Sequence, residues 1–221
     1  MKVTQIAIDG PAGAGKSTIA KHVAKALNYT YIDTGAMYRA ITLKALNKGL
    51  ELSDDSVYSF IDDTLFEFKD GKLYMDHTDV SNDIRTRNIS NNVSLVSSHL
   101  TVREKTVKRQ QVLAKNLNVV MDGRDIGTHV LPEADYKIFL TASVETRARR
   151  RYKENLERGI HSTLEDLQKE IEARDHFDTT RQHSPLKAAH DAIVIDTSTM
   201  SIEDVIGTIM KLVREDEPHG I

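Results

Sequence analysis

Apolar residues recur along this chain with two alternating periods, one typical of buried strands and the other of amphipathic helices. Short apolar runs that predict strands lie at residues 3–8, 29–33, 117–121, 136–141 and 192–196. Apolar positions spaced by three and four residues, which predict helices, lie within residues 17–27, 36–47, 90–116, 164–181 and 202–213. Because strands that alternate with helices usually pair in parallel, this pattern predicts an α/β fold around a parallel sheet.

Residues 53–92 interrupt this alternation. The stretch LFEFKDGKLYMD has side chains of alternating character around Asp70 and Gly71, which is a strong hairpin signal. An antiparallel hairpin in an otherwise parallel chain indicates an insertion. We therefore expect residues 1–52 and 93–221 to form the core domain and residues 53–92 to be an inserted segment.

The first predicted strand leads directly into GPAGAGKS, which fits the P-loop pattern G-x-x-x-x-G-K-[ST]. Its glycines allow the backbone N–H groups to turn toward a phosphate, and the following helix presents its positive end. Lys16 supplies a mobile charge for the β- and γ-phosphates, and Ser17 supplies a hydroxyl that can ligate the Mg²⁺ of ATP. The motif alone leaves ATPases, GTPases, kinases and motors open.

Composition narrows the classes of function. With 30 Lys and Arg against 33 Asp and Glu, the net charge of −3 gives no general positive field for nucleic acid or anionic membrane. The chain has no cysteine, which excludes a disulfide framework and thiolate zinc sites. Its first apolar run is too short for a signal sequence or a membrane span. We therefore expect a cytoplasmic protein that binds neither nucleic acid nor membrane.

Charged residues follow the predicted strands at the edge where open α/β sheets bind ligands. Asp122 ends the strand at 117–121, so it is a candidate for an outer-sphere contact to magnesium. Arg124 and Asp125 lie just beyond it, and we favour a functional role for them over a surface ion pair. Arg39 lies near the start of a helix, where a positive charge opposes the helix dipole, so helix stability does not explain it.

Two consecutive helices carry further charged residues. Five arginines lie within the twelve residues 147–158, more than the three neighbouring glutamates neutralise. Arginine is suited to spreading phosphate charge, although an exposed, salt-bridged helix face is the simpler explanation. On the next helix, Arg174, Asp178 and Arg181 share one face because of their spacing. That face suits either a joint ligand site or an internal ion-pair ladder.

Four sequence blocks, together with the arginine-rich segment, carry a resemblance to a family. In chain order they are GPAGAGKST, DTGAMYRA, GRDIGT and RDHFDTTRQHSPL, and they closely resemble the bacterial cytidylate kinases of the nucleoside monophosphate kinase group. The resemblance implies a P-loop core of five parallel strands with helices on both faces, an inserted antiparallel β-containing domain that binds the monophosphate, and a short helical lid at about residues 145–162. It also implies transfer of the γ-phosphoryl group of Mg²⁺-bound ATP to CMP or dCMP.

The resemblance assigns roles residue by residue. The ATP-binding residues are Gly10, Pro11, Ala12, Gly13, Ala14, Gly15, Lys16, Ser17 and Thr18. The CMP-binding residues are Thr34, Arg39, Ser94, Arg103, Arg124, Asp125, Asp178 and Arg181. The catalytic residues are Lys16, Arg124, Arg147 and Arg151. Ser17 binds the magnesium ion, and Asp122 contacts it in the outer sphere.

Within the CMP set, Arg39 and Arg124 contact the acceptor phosphate with support from Arg181, and the others contact cytosine and ribose. The family often has serine at position 34, so the threonine there preserves the hydroxyl. The Val-Arg-Glu sequence around Arg103 matches this residue, rather than Arg109, to the family's arginine. We expect the enzyme to act as a monomer.

Three other classes share parts of this pattern. A GTPase would need N-K-x-D, and the chain has only Asn47-Lys48-Gly49-Leu50, which lacks the aspartate. A small-metabolite kinase of the shikimate type shares the P-loop and lid, and is the main alternative. It does not explain the long insertion or the carboxylates among the acceptor-site arginines. A nucleic-acid-binding P-loop protein is disfavoured by the net charge and by only 5% aromatic residues.

Overall fold

The structure is a computed structural model that describes residues 3–69, 71–157 and 159–215. Its strands are β1 (Gln5–Asp9), β2 (Thr30–Asp33), β3 (Phe66–Lys69), β4 (Lys72–Met75), β5 (Thr78–Asp79), β6 (Val119–Gly123), β7 (Tyr136–Thr141) and β8 (Ile193–Asp196). Its α-helices are α1 (Lys16–Leu27), α2 (Thr34–Asn47), α3 (Arg87–Val96), α4 (Leu100–Ala114), α5 (Val144–Glu157), α6 (Leu164–Thr180) and α7 (Ile202–Glu215). Asp70 of the predicted hairpin and Arg158 of the arginine cluster lie outside the described residues.

Five parallel strands form the central sheet in the order β2-β6-β1-β7-β8. The central strand β1 is paired on both sides, with Ile8 opposite Asp122 of β6 and Ile138 of β7. The strand is buried along nearly its whole length, which is why its sequence is apolar and does not alternate. The predicted parallel α/β fold is confirmed.

Helices cover both faces of this sheet because successive side chains of β1 point to opposite sides. Ile6 and Ile8 pack with the apolar faces of α1 and α7. Ala7 packs on the other side, in a cluster that includes Ala114 at the end of α4 and Ile126 of a short π-helical turn, Ile126–Val130. The carboxyl ends of the strands and the start of α1 therefore meet at one edge.

The insertion forms a second, three-stranded antiparallel sheet in the order β3-β4-β5. Phe66 pairs with Met75 and Lys69 with Lys72, so the predicted hairpin is confirmed. Its buried side chains share one apolar cluster with Met37 of α2, so the hairpin is packed onto the helix that follows β2.

The helical pattern over residues 90–116 corresponds to two helices, α3 and α4. His99 separates them because its backbone is extended, with φ −65° and ψ 136°. Its ring Nε2 donates to the carbonyl oxygen of Leu52 over 2.8 Å, and its ring lies 5.2 Å from that of Tyr58. These contacts are long-range, so the local periodicity does not reveal the break. Within the described ranges, no helix is both long and apolar enough to cross a membrane.

Candidate active site

The loop between β1 and α1 has the conformation that its glycines permit. Gly10, Gly13 and Gly15 have φ angles of +147°, +78° and +89°, which favour glycine. At Gly10 the requirement is also steric, because a Cβ atom would lie 2.0 Å from the carbonyl oxygen of Leu140. Gly15 is the N-cap of α1 and has no side chain to accept from the free N–H groups of the first turn. An anion at this helix end would accept from them.

Lys16 is buried at the start of α1, and its Nζ donates to the carbonyl oxygen of Pro11 over 2.7 Å. Burial, reinforced by the positive charge of Arg124, lowers the pKa of Lys16 well below its ordinary value. A phosphate bound in the loop would oppose this shift, because negative charge favours the ammonium form.

Arg147 of α5 contacts the P-loop. It is buried, its Nη1 donates to the carbonyl oxygen of Ala12 over 3.1 Å, and its Nε donates to that of Ala142 over 2.9 Å. Its Nη2 donates to Asp175 of α6 over 2.5 Å. The sequence assigned Arg147 to catalysis over the phosphates, whereas here its donors meet the protein itself. Part of the arginine excess in α5 is thus balanced by an aspartate of another helix.

The other described arginines of α5 divide by their partners. Arg149 donates to Glu145 over 2.7 Å in an exposed pair, and Arg150 donates to the carbonyl oxygen of Thr197 over 2.6 Å. Arg151 lines the cavity that contains the P-loop. Of the described arginines of α5, Arg151 is therefore the one that lines this cavity.

Ser17 and Asp122, which the sequence assigns to magnesium, are in direct contact. Ser17 Oγ donates to Asp122 Oδ2 over 2.7 Å, and the Tyr31 hydroxyl donates to Oδ1 over 2.7 Å. Asp33 lies opposite Asp122 in the register of β2 and β6. Burial, together with the negative charge of Asp33, raises the pKa of Asp122 to about 6. Carboxylate and hydroxyl oxygens are the ligands that Mg²⁺ prefers, and a cation would relieve the shift.

Three arginines and two carboxylates meet on the acceptor side of this edge. Arg39 Nη2 donates to Asp33 Oδ2 over 2.9 Å, and Arg124 Nε donates to Asp178 Oδ2 over 2.9 Å. Arg174 Nε lies 3.9 Å from the same Asp178 oxygen. Burial and the charge of Arg124 lower the pKa of Arg174 to about 10. The local excess of guanidinium groups suits a phosphate, which accepts from arginine in a bidentate manner.

A second charge cluster, formed by Arg103, Asp125 and Arg181, is buried beside the first. Arg103 Nη2 donates to Asp125 Oδ2, and Arg181 Nη2 lies 3.9 Å from Asp125 Oδ1. The Arg103 guanidinium lies over the ring of Tyr38, with Cζ 5.0 Å from its centroid. Among the described residues, Arg103 Nε and Arg181 Nη2 have no hydrogen-bond partner. Both are buried donors that the protein itself leaves unpaired, which is uncommon in a folded protein.

Of the two remaining assigned residues, Thr34 contacts the site directly. Thr34 begins α2, is buried, and donates its hydroxyl to the carbonyl oxygen of Asp122 over 2.7 Å. Ser94 is half-buried on α3. Arg109 instead donates to the carbonyl oxygens of Ile61 and Asp62 in the insertion. The arginine beside Asp125 is Arg103.

A cavity of about 840 Å³ joins the P-loop to the acceptor arginines. Its lining includes Lys16 and Ser17 of the P-loop, Arg39 and Arg174, and Arg151 of α5. Arg174 also reaches Asp178, so it links the open cavity to the buried clusters. The structure thus brings a phosphate-binding loop, a set of hard oxygen ligands and two arginine clusters to one edge of the sheet.

The sequence analysis did not assign several residues that lie at this site. Asp33 ends β2 as Asp122 ends β6, and this shared position at neighbouring strand ends was the available signal. The sequence placed Arg174 on the same helix face as Asp178 and Arg181 but assigned it no role. The ring of Tyr38 could not be inferred, because its contact with Arg103 joins two helices distant in sequence.

A model of the cytidylate kinase family matches residues 6–215 of this chain. A cytidylate kinase of Pediococcus pentosaceus is 54% identical over 215 residues, covering 95% of each chain. A cytidylate kinase of Geobacillus sp. is 54% identical over 216 residues, covering 96% of each. Among solved structures, shikimate kinase from Acinetobacter baumannii in complex with shikimate has a TM-score of 0.51 and 16% identity, covering 98% of this chain and 96% of that one. The structural likeness shows a shared fold.

Proposed function

This chain belongs to the cytidylate kinase family, and from that premise we propose that it transfers the γ-phosphoryl group of ATP to CMP and dCMP, which yields CDP and dCDP. The observation that carries this proposal is the family match over residues 6–215. The match includes the P-loop as well as both buried charge clusters, so the ATP side and the acceptor side are covered together.

The phosphates of ATP bind in the loop of residues 10–18. The glycine conformations and the uncapped start of α1 support this, since both leave N–H groups for an anion. Lys16 lies inside the loop, and burial together with the positive charge of Arg124 depresses its pKa, so additional negative charge would stabilise its ammonium form. The triphosphate supplies that charge, after which Lys16 stabilises the negative charge that develops on the transferred group.

Magnesium fits the oxygen ligands beside the loop. Ser17 would hold the ion directly and Asp122 through the ion's water shell, and the raised pKa of Asp122 agrees with a carboxylate placed for a cation. The ion would neutralise the phosphate oxygens of ATP. On the protein side, Tyr31 fixes Asp122 through a hydrogen bond to its other oxygen.

The acceptor phosphate is held by Arg39 and Arg124, with Arg181 in support. Arg39 and Arg124 are each fixed by one carboxylate at 2.9 Å, which orients the guanidinium groups before a ligand arrives. A nucleoside monophosphate brings its own negatively charged nucleophile, so positioning and charge stabilisation suffice and a general base is not required.

Cytosine is recognised by Asp125 and Asp178, and Arg103, Thr34 and Ser94 contribute further contacts to cytosine and ribose. Cytosine exposes an exocyclic amine that donates to a carboxylate, whereas uracil exposes a carbonyl oxygen that a carboxylate repels. The burial of Asp125 and Asp178 supports this selectivity, because a mismatched buried polar group is costly. CMP should therefore be strongly preferred to UMP.

The inserted segment 53–92 and the lid 145–162 close over the two nucleotides. Arg87, in the inserted segment, lies 3.5 Å from Glu170 of α6, the helix that follows the lid, and both residues line the cavity. We also infer a cytoplasmic monomer, because every assigned residue belongs to one chain and the sequence has no cysteine.

A shikimate-type kinase is the alternative. The shared fold at 16% identity carries no information on substrate. The match to cytidylate kinases at 54% identity over almost the whole chain disfavours it.

A coupled assay of ADP release tests the proposal. The purified chain is given Mg²⁺-ATP and, in turn, CMP, dCMP, UMP, AMP and shikimate. We expect efficient turnover with CMP and dCMP and at least a hundredfold lower kcat/KM with UMP. Turnover of shikimate with none of CMP would establish the alternative.

A further inference from the structure

Asp9 is a buried carboxylate that the steps above do not use. It is the last residue of β1 and directly precedes Gly10 of the P-loop. Its Oδ1 accepts from the N–H of Ile126 and its Oδ2 from the N–H of Gly127, each over 2.8 Å. These N–H groups begin the π-helical turn that immediately follows Asp125. One side chain therefore joins the start of the ATP loop to the segment that carries Arg124 and Asp125.

The environment of Asp9 makes this contact costly to keep. The residue is 4% exposed, and burial, with the charge of Asp125 adding to it, raises the pKa of Asp9 to about 7. A neutral residue would avoid the desolvation of a carboxylate. An aspartate at this position thus indicates a requirement for two acceptor oxygens.

The turn is closely packed at Gly127, mainly against the stem of Lys137. A Cβ atom at Gly127 would lie 3.3 Å from the stem of Lys137 and 3.5 Å from Asp9 Oδ2. The P-loop has other supports, namely Arg147 on Ala12 and Lys16 on Pro11. Loss of the Asp9 side-chain contacts should therefore release the turn more than the loop.

We propose that Asp9 is a positioning residue that fixes residues 124–127 relative to the P-loop and so sets selectivity for the cytosine base. This inference rests on the proposed function, since it acts through Asp125. It differs from a general structural role because it concerns the acceptor side alone.

The test compares the full-length wild type with Asp9→Asn, whose amide has one oxygen to accept from two N–H groups. Amide hydrogen exchange at Ile126 and Gly127 should accelerate at least tenfold. The KM for CMP should rise about tenfold, and the preference for CMP over UMP should fall about tenfold, while the KM for ATP changes less than twofold. Asp196→Asn is the matched control, because Asp196 also ends a strand but accepts from Ser198.

Unchanged exchange at the two amides would overturn the proposal. So would accelerated exchange with an unchanged KM for CMP, or an equal rise in the KM values of both substrates. If Asp9→Asn does not fold, Gly127→Ala perturbs the same turn through the stem of Lys137, 3.3 Å from the added Cβ atom, and should give the same pattern. If the wild type does not phosphorylate CMP, both the proposed function and the role of Asp9 in selectivity are refuted. Amide exchange at Ile126 and Gly127 reports separately on the contact of these residues with Asp9.

Discussion

Replacement of Asp125 by asparagine probes the buried charge cluster directly. Asp125 contacts both Arg103 and Arg181, and the three side chains are only 3–4% exposed. Removal of one partner of a buried ion pair costs about 3–5 kcal/mol, because the remaining charge stays desolvated and unpaired. The asparagine oxygen can still accept from Arg103, so we expect a loss of about 3 kcal/mol in the free energy of unfolding.

Urea unfolding followed by far-UV circular dichroism measures this loss, with an unchanged m-value as the check that the mechanism of unfolding is preserved. The matched control is Glu145→Gln, which breaks a pair of similar chemistry with Arg149 whose side chains are 63% and 70% exposed. Since exposed pairs contribute little, the control should lose less than about 0.5 kcal/mol.

The two variants should therefore differ by more than 2 kcal/mol on these estimates. A loss below about 1 kcal/mol for Asp125→Asn would show that water reaches the cluster, and the reasoning from burial would be refuted. Preference for CMP over UMP, measured on the same preparation, should fall with the loss of the carboxylate.

Three further outcomes are expected. Lys16→Ala should lower turnover about a hundredfold or more with an unchanged circular dichroism spectrum, as for loss of a preorganised charge donor; near-normal turnover contradicts the ATP-site assignment. Arg151→Ala should reduce turnover much more than it weakens CMP binding by calorimetry, whereas Arg149→Ala, already paired with Glu145, should change neither; equal behaviour of the two variants contradicts the lid role of Arg151. The folded-state pKa of Asp9 of about 7 lies above its ordinary 3.8, so the folded state retains a proton that the unfolded state loses between these values. The unfolding free energy of the wild type should therefore fall relative to Asp9→Asn by about 1 kcal/mol per unit between pH 4.5 and 6.5, and parallel pH profiles of the two proteins would contradict the raised pKa.

The layered fold followed from local patterns, because apolar runs and helical spacing are properties of short segments. The sequence also predicts helix caps, with Ser162 or Thr163 as candidates before α6 and Ser201 before α7, and in the structure Thr163 and Ser201 accept from N–H groups three residues on. The break between α3 and α4 at His99 could not be predicted in this way, because it depends on a contact with the carbonyl oxygen of Leu52 in another segment.

The candidate site divides in the same way. The P-loop was evident from its motif, and Asp122 from its place at a strand end. The partnership of Arg147 with Asp175 was not evident, because it joins two helices whose packing the sequence leaves open. The sequence therefore assigned the excess of arginine on α5 to a ligand, whereas part of that positive charge is paired with Asp175 within the protein.

The contacts of Arg147 would also set the hinge of the lid proposed above. A single guanidinium ties the first turn of α5 to the P-loop and to the C-terminal half of α6. We therefore propose this end of the helix pair as the pivot, so that a closing motion would increase in amplitude toward residues 159–162. Arg151, one turn beyond the pivot, would move a short distance, and the phosphate loop would stay in place.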